Sequence, residues 1–146
     1  MVCSRKVTTV LEFGVGKSTI IFEDSLLKNK RNYEKYVKKN LRRSNAFECF
    51  SVDTYKKWIE KTKSQFEFSR VFFQFSKIHM DKFNGRICTF YEKLPNICPD
   101  FIYLDGPDLY SSSNEINGIT TKHSDRLPMS ADILAIEHFL LPGTLI

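Results

Sequence analysis

The sequence has no long apolar run, no metal-binding pattern and only six glycines. No stretch of its 146 residues reaches the roughly 18 apolar residues that a membrane-spanning helix needs, and the N-terminus lacks the apolar core of a signal peptide. The four cysteines form no CxxC pair, and the three histidines form no H-x-x-H or H-E-x-x-H pattern. We therefore predict no membrane span, no structural metal, and reduced thiols in a cytoplasmic protein.

The composition is that of one globular domain spanning residues 1–146. Apolar residues make up 42% of the chain and aromatic residues 14%, with Phe present 13 times. A chain of this length and apolar content can bury about two-thirds of the surface that it exposes when unfolded.

The net charge of +5 is concentrated in one segment. Lys28–Arg43 holds eight basic residues and a single acid, Glu34. Such a segment could attract nucleic acid or an acidic substrate. An apolar stripe at helical spacing (Tyr33, Tyr36, Val37 and Leu41) instead favours a helix with one solvated basic face, so we predict that nucleic acid is not the partner.

The segment Val7–Thr19, VTTVLEFGVGKST, organises the rest of the chain. Seven strand-forming residues lead into two glycines, and the polar residues that follow can open a helix. A strand, a glycine loop and a helix start in this order form the cofactor site of the first βα unit in a doubly wound sheet.

Three known ligand-binding loop patterns partly match this segment. Gly16-Lys17-Ser18-Thr19 matches the second half of a phosphate-binding loop, but Leu11 stands where that pattern needs its first glycine. A dinucleotide fingerprint would need a third glycine at Thr19. The third pattern is an acid at the strand end followed by G-x-G, the S-adenosylmethionine loop, and Glu12-Phe13-Gly14-Val15-Gly16 matches it. An unremarkable strand-to-helix turn remains a further alternative.

Two later strands also end in acids. Ala46–Val52 is rich in β-forming residues and runs into Asp53, the position from which an acid binds ribose hydroxyls in this architecture. The buried run that begins at Pro99 ends in Asp105, where Gly106 and Pro107 stop it. Since ligands bind outside the carboxyl ends of parallel strands, Asp105 is the best candidate for a residue near the reacting group, with turn capping as its alternative role.

The remaining elements follow from periodicity and turn signals. We predict a helix over Ser18–Lys28, a break at Asn29–Arg31, a second helix over the basic segment and a short helix at Tyr55–Ile59. A strand at Ser69–Phe75 and a hairpin that turns at Asn84-Gly85 should follow. The C-terminal part should contain a long loop over Tyr110–Pro128, a helix over Ala131–Leu141 capped by Ser130, and a last strand that starts at Thr144.

Four segments together resemble an uncharacterised subgroup of the class I S-adenosylmethionine-dependent methyltransferase-like proteins. They are LEFGVGKST, SVDTYKKW, PDFIYLDGPD and MSADILAIEHFLLPGTLI. The resemblance implies that Glu12, Gly14 and Gly16 lie against the methionine part of the cofactor and that Asp53 binds its ribose. Ser18 stands where this loop often has a third glycine, and we predict that it also contacts the cofactor. It also implies that Asp105 lines the floor where cofactor and methyl acceptor meet.

The resemblance further implies a Rossmann-like, doubly wound, mostly parallel sheet of order 3-2-1-4-5. Members of this family continue beyond GTLI, so we expect the sheet to be incomplete at its C-terminal edge, and a partner chain could cover that edge. The sequence thus predicts an S-adenosylmethionine-dependent methyltransferase whose acceptor is unknown. Two alternatives stay open, a P-loop-like nucleotide-binding enzyme and a non-catalytic remnant or interaction module.

Overall fold

The chain forms an α/β fold with one mostly parallel sheet and one antiparallel pair. The structure is a computed structural model that describes residues 1–108, 112, 114–125 and 130–146. The elements are β1 (Thr9–Phe13), α1 (Lys17–Asn40), β2 (Glu48–Asp53), α2 (Lys56–Gln65), β3 (Val71–Phe75), β4 (Ile78–Phe83), β5 (Arg86–Tyr91), β6 (Phe101–Leu104), α3 (Asp132–Ile136) and a 3-10 turn (Glu137–Phe139). Parts of the predicted 110–128 loop, residues 110, 111, 113 and 126–128, lie outside the described residues.

The main sheet has the order β3-β2-β1-β6, and every neighbouring pair in it is parallel. Beyond β6 a single parallel bridge joins Phe101 to Leu145, and no strand is assigned to Thr144–Ile146. The carboxyl ends of β1, β2 and β6 therefore lie side by side at one edge of the sheet, which is where the sequence places its glycine loop and its two acids.

The two faces of the sheet carry different layers, because successive residues of a strand point to opposite faces. On one face Val10 packs against α1 through Phe22 and Leu26. On the other face Leu11 and Phe13 pack with residues of the β4–β5 hairpin and of α3, namely Ile78, Tyr91 and Ile133. The core is therefore double, with β1 shared between its halves.

Helix α1 corrects the prediction of two helices separated by a break. It runs without interruption from Lys17 to Asn40 because Asn29 is buried inside the fold. The Asn29 side-chain amide donates hydrogen bonds to the carbonyl oxygens of Val2 and Val7, at 3.1 and 2.8 Å. Tertiary contacts thus hold in a helix a residue that by local preference favours a turn.

The apolar stripe predicted along the basic segment is mostly not buried. Of its four members only Val37 is buried, while Tyr36 and Leu41 are 61% and 44% exposed. The second half of α1 therefore contacts the sheet at few points and presents most of its basic side chains to solvent.

The C-terminal helix is shorter than predicted. The region predicted as a helix over Ala131–Leu141 forms α3 and then tightens into the 3-10 turn. Ser130 does not cap it through the predicted N-cap position, which Ala131 occupies. The Ser130 hydroxyl instead donates to the Asp132 carboxylate, which accepts the backbone N–H of Tyr91 and so ties α3 to β5.

The predicted hairpin is confirmed. β4 and β5 pair in antiparallel register around Asn84-Gly85, and both turn residues have positive φ, 50° and 76°. Asn and Gly are the residues that adopt this conformation at least cost. The hairpin covers the sheet face opposite α1 and brings the end of β5 next to the end of β6.

Candidate functional site

The site is a crevice at the carboxyl ends of β1, β2 and β6, here called the strand-tip crevice. Its volume is about 230 Å³. The residues that line it are Gly14, Val15, Gly16, Asp53, Thr54, Trp58, Tyr91, Asp105, Gly106, Pro107 and Asp108. Four of the six site residues predicted from the sequence (Gly14, Gly16, Asp53 and Asp105) are therefore brought together here.

Backbone packing closes one wall of the crevice. Gly14 has a φ of +94°, and a Cβ built on it would lie 2.5 Å from the carbonyl oxygen of Asp105. Across the gap, a Cβ on Gly106 would lie 3.1 Å from the Gly14 nitrogen. The two glycines let the loop after β1 and the loop after β6 touch backbone to backbone, so Gly14 has a structural role whatever the crevice binds.

Gly16 has no such packing role. Its φ of −175° is ordinary extended backbone, and a Cβ built on it would meet no atom within 4 Å. Gly16 precedes α1 and lines the crevice, so the space beside it is open to a bound molecule.

Asp53 connects the glycine loop to the start of α2. Its carboxylate accepts the backbone N–H of Val15 at 2.8 Å and that of Tyr55 at 2.6 Å. Burial raises the pKa of Asp53, while these two hydrogen bonds act in the opposite direction. The backbone N–H of Thr54 also donates to this carboxylate. An ionised carboxylate offers about four acceptor positions, so three bonds leave one position for a hydroxyl group of a ligand.

Glu12 and Ser18 do not line the crevice. Glu12 is fully buried, and its carboxylate accepts hydrogen bonds from the hydroxyls of Ser18, Ser51 and Thr19, the last at 2.7 Å. These bonds join β1, β2 and the first turn of α1. Burial raises the pKa of Glu12 against the opposing effect of the three hydroxyls. The geometry makes Glu12 and Ser18 supports of the loop.

The pH dependence of stability tests this arrangement through Glu12→Gln. The folded-state pKa of Glu12 lies above its ordinary value of 4.5, so at pH values between the two the folded protein binds a proton there more fully than the unfolded chain does. The stabilising contribution of this proton is fully present below the ordinary pKa and is lost as pH rises through the folded-state pKa.

We therefore expect the free energy of unfolding of wild type minus that of Glu12→Gln to fall as pH is raised from about 4 to about 8. Urea titrations at a series of pH values measure this difference, in which the other titrating groups largely cancel. A difference that stays constant or grows with pH would show that the carboxylate is not shifted as described.

Asp105 and Asp108 give the crevice its charge. Both are exposed acids on the segment that follows β6, and the charge of Asp108 helps to raise the pKa of Asp53. No Lys or Arg is among the described residues that line the crevice. All charged side chains among the described lining residues are therefore acidic, which favours ligands with positive charge or hydroxyl donors.

Two aromatic residues at the crevice carry weak sequence signals. Trp58, on α2, is 45% exposed and borders the crevice, although its sequence context favoured packing on the sheet over contact with a ligand. Tyr91 ends β5, and nothing near it in sequence distinguishes it from an ordinary strand residue. The Gly106 contact that places Tyr91 here is a tertiary one, which no local pattern encodes.

Comparison of the chain with protein-family models, with curated proteins and with solved structures gave no match. The geometry of the crevice and the resemblance in the sequence are therefore the two features that bear on function.

A larger concavity lies away from the strand ends. It measures about 1,200 Å³ and is formed by the C-terminal end of α2 and the edge strand β3, with Phe66, Phe68 and Phe73 on its walls. It is wide open and contains none of the predicted site residues, so we place the candidate site in the smaller crevice.

In the part of the chain that the structure describes, no helix is long and apolar enough to cross a membrane, and no group of three or more His, Cys, Asp or Glu side chains is arranged to hold a metal ion.

Proposed function

We propose that the strand-tip crevice binds the adenosyl part of S-adenosylmethionine and that the chain is an S-adenosylmethionine-dependent methyltransferase domain with an acceptor still to be identified. One observation carries the proposal: the glycine loop after β1, the acid after β2 and the acid after β6 line the same crevice. In a Rossmann-like, doubly wound arrangement, which we propose for this sheet, ligands bind at this edge, at the point where the strand order reverses.

The charge of the crevice supports a sulfonium ligand over a nucleoside triphosphate. Asp53, Asp105 and Asp108 would repel phosphate groups at close range, whereas they would stabilise a positively charged sulfur. Lys17, the residue that a phosphate-binding loop would use, is exposed and does not line the crevice. The P-loop alternative is thus the weaker one.

The positions of Asp53 and Trp58 suit the nucleoside. Asp53 has an acceptor position left for a ribose hydroxyl after accepting three backbone N–H groups. Trp58 offers a half-exposed indole at the rim, against which an adenine could stack.

At about 230 Å³ the crevice is smaller than the roughly 300–1,000 Å³ of typical ligand pockets, so the methionine part of the cofactor would extend past the rim.

Methyl transfer requires the protein mainly to align the methyl donor with the acceptor. Methyl transfer from a sulfonium is an in-line displacement, in which the acceptor attacks the methyl carbon while the carbon–sulfur bond breaks. A base is needed only where the acceptor begins protonated. In this proposal Asp105 is the acid beside the transferred group, and Gly16 gives the cofactor close access to the backbone.

Binding of S-adenosylhomocysteine tests the proposal, with Gly16→Ala as the diagnostic variant. We expect calorimetric titration to show binding to wild type and an affinity at least about tenfold lower for Gly16→Ala, because the new methyl group occupies space that the ligand needs. The free energy of unfolding should change by less than about 0.5 kcal/mol, since a Cβ at this position meets no protein atom.

Absence of binding by folded, monodisperse wild-type protein would overturn the proposal. Equal affinity of wild type and Gly16→Ala would move the ligand away from the glycine loop. Tighter binding of ATP than of S-adenosylhomocysteine would favour the nucleotide-binding alternative.

A further inference from the structure

The hydroxyl of Tyr91 is a buried polar group without a partner among the described residues. Tyr91 is 5% exposed, and no described residue donates to or accepts from its hydroxyl. Leaving such a group unpaired costs free energy, so an orphan at a candidate site is a sign of a missing ligand atom. Among the described residues that line the crevice, only the Tyr91 hydroxyl is a buried side-chain polar atom without a hydrogen-bond partner, whereas the Asp53 carboxylate accepts backbone N–H groups.

The surroundings of Tyr91 place this hydroxyl at the crevice. The ring packs against Phe13 with centroids 5.2 Å apart, which fixes its orientation in the core of the hairpin face. Its hydroxyl end lies against Gly106, 3.0 Å from the position that a Cβ on that glycine would take. Both residues line the crevice. A side chain at position 106 would press against this hydroxyl, so the glycine makes room for the buried Tyr91 hydroxyl directly behind the crevice wall.

The electrostatics decide whether the hydroxyl donates or accepts. Burial, helped by the charges of Asp53, Asp132 and Asp108, raises the pKa of Tyr91. The phenol therefore keeps its proton at neutral pH and cannot serve as a base. A protonated phenol with carboxylates nearby is best used as a hydrogen-bond donor to an uncharged acceptor.

We propose that Tyr91 is a ligand-positioning residue whose hydroxyl donates a hydrogen bond to an uncharged oxygen or ring nitrogen of the molecule in the strand-tip crevice. The ligand class that fits is an adenosyl compound without phosphate, because the same wall carries Asp53 and Asp108. This inference rests on the proposed function and adds the residue that fixes the nucleoside in the crevice.

Tyr91→Phe tests the inference because stability and affinity should move independently. Removal of an unpartnered hydroxyl should leave the melting temperature of the free protein unchanged or raise it. The affinity for S-adenosylhomocysteine should fall about three- to tenfold, the loss expected for one neutral hydrogen bond. Tyr103→Phe is the matched control, since Tyr103 packs on Phe22 at the opposite face of the sheet and its change should leave the affinity unaltered.

Each other outcome overturns the inference in a recognisable way. Equal affinity of Tyr91→Phe and wild type would refute the role of Tyr91 and leave the proposed function standing. A melting temperature clearly below that of Tyr103→Phe would show that the hydroxyl has a partner within the fold. Binding of ATP, in the presence of EDTA, as tightly as S-adenosylhomocysteine would refute the phosphate-free ligand class. No binding of S-adenosylhomocysteine by wild type would remove the proposed function and this inference together.

Discussion

Replacing Gly14 with alanine is expected to lower the free energy of unfolding by about 3 kcal/mol or more. Two separate effects add. At a φ of +94° an L-residue is strained, and the new Cβ would sit 2.5 Å from the Asp105 carbonyl oxygen and 2.8 Å from its carbon. Both of those atoms are backbone, so neither can move aside without shifting the end of β6.

Urea denaturation measures this effect, and Gly16→Ala is the matched control two residues away. The control adds the same methyl group to the same loop in extended backbone and open space. If the two variants lose similar stability, the contact between the loops after β1 and β6 is not as described. Ligand binding by Gly14→Ala should also fall, but as a consequence of the displaced crevice wall.

Replacing Asp100 with alanine is expected to cost about 2–4 kcal/mol of stability. The Asp100 carboxylate lies at the opposite end of the sheet from the crevice. It accepts the backbone N–H groups of Thr8 and Thr9, at 3.0 and 2.8 Å, and the Thr8 hydroxyl at 2.7 Å. Arg43 completes the cluster at 3.2 Å, with both charged side chains largely covered.

The cost of this substitution comes from the groups that are left behind. Without the carboxylate, the backbone N–H groups of Thr8 and Thr9 lose their acceptor. The largely covered Arg43 guanidinium loses its anionic partner and keeps, among the described residues, only the Cys98 carbonyl oxygen.

Asp24→Ala is the control, because the Asp24 ion pair with Lys28 is more than half exposed and its loss should leave the stability almost unchanged. Thermal or urea unfolding of both variants makes the comparison, and a small loss for Asp100→Ala would show that water replaces the carboxylate.

Much of the framework could be predicted because its signals are local. The strand-forming run before Gly14, the Asn84-Gly85 turn and the abrupt stop at Gly106-Pro107 each depend on neighbours in sequence. Most of the predicted elements are therefore present near their expected places, although the two helices predicted before β2 are one helix and no strand is assigned from Thr144. The run predicted from Val7 begins as β1 at Thr9, and the helix predicted over Tyr55–Ile59 extends as α2 to Gln65.

Predictions that needed distant contacts were less accurate. The sequence predicts a helix break at Asn29–Arg31, because no local pattern reveals that the Asn29 side-chain amide donates hydrogen bonds to the carbonyl oxygens of Val2 and Val7. Glu12 reads as a ligand residue because an acid before G-x-G suits a cofactor, yet Ser51, far along the chain, helps to enclose it. Burial decides whether such a polar side chain bonds to another part of the fold or stays free for a ligand, and burial cannot be read from a single sequence.

By itself the sequence determined that acids would follow β2 and β6 and that a glycine loop would follow β1, since strand propensity and chain-stopping residues act within a few positions. Only the tertiary structure decided which of these groups face the crevice. Parallel pairing brings Asp53 and Asp105 to one edge, whereas helix packing turns Glu12 inward and the hairpin carries Tyr91 beside Gly106. The physical reason is that side-chain direction and burial depend on contacts between segments that lie far apart in the chain.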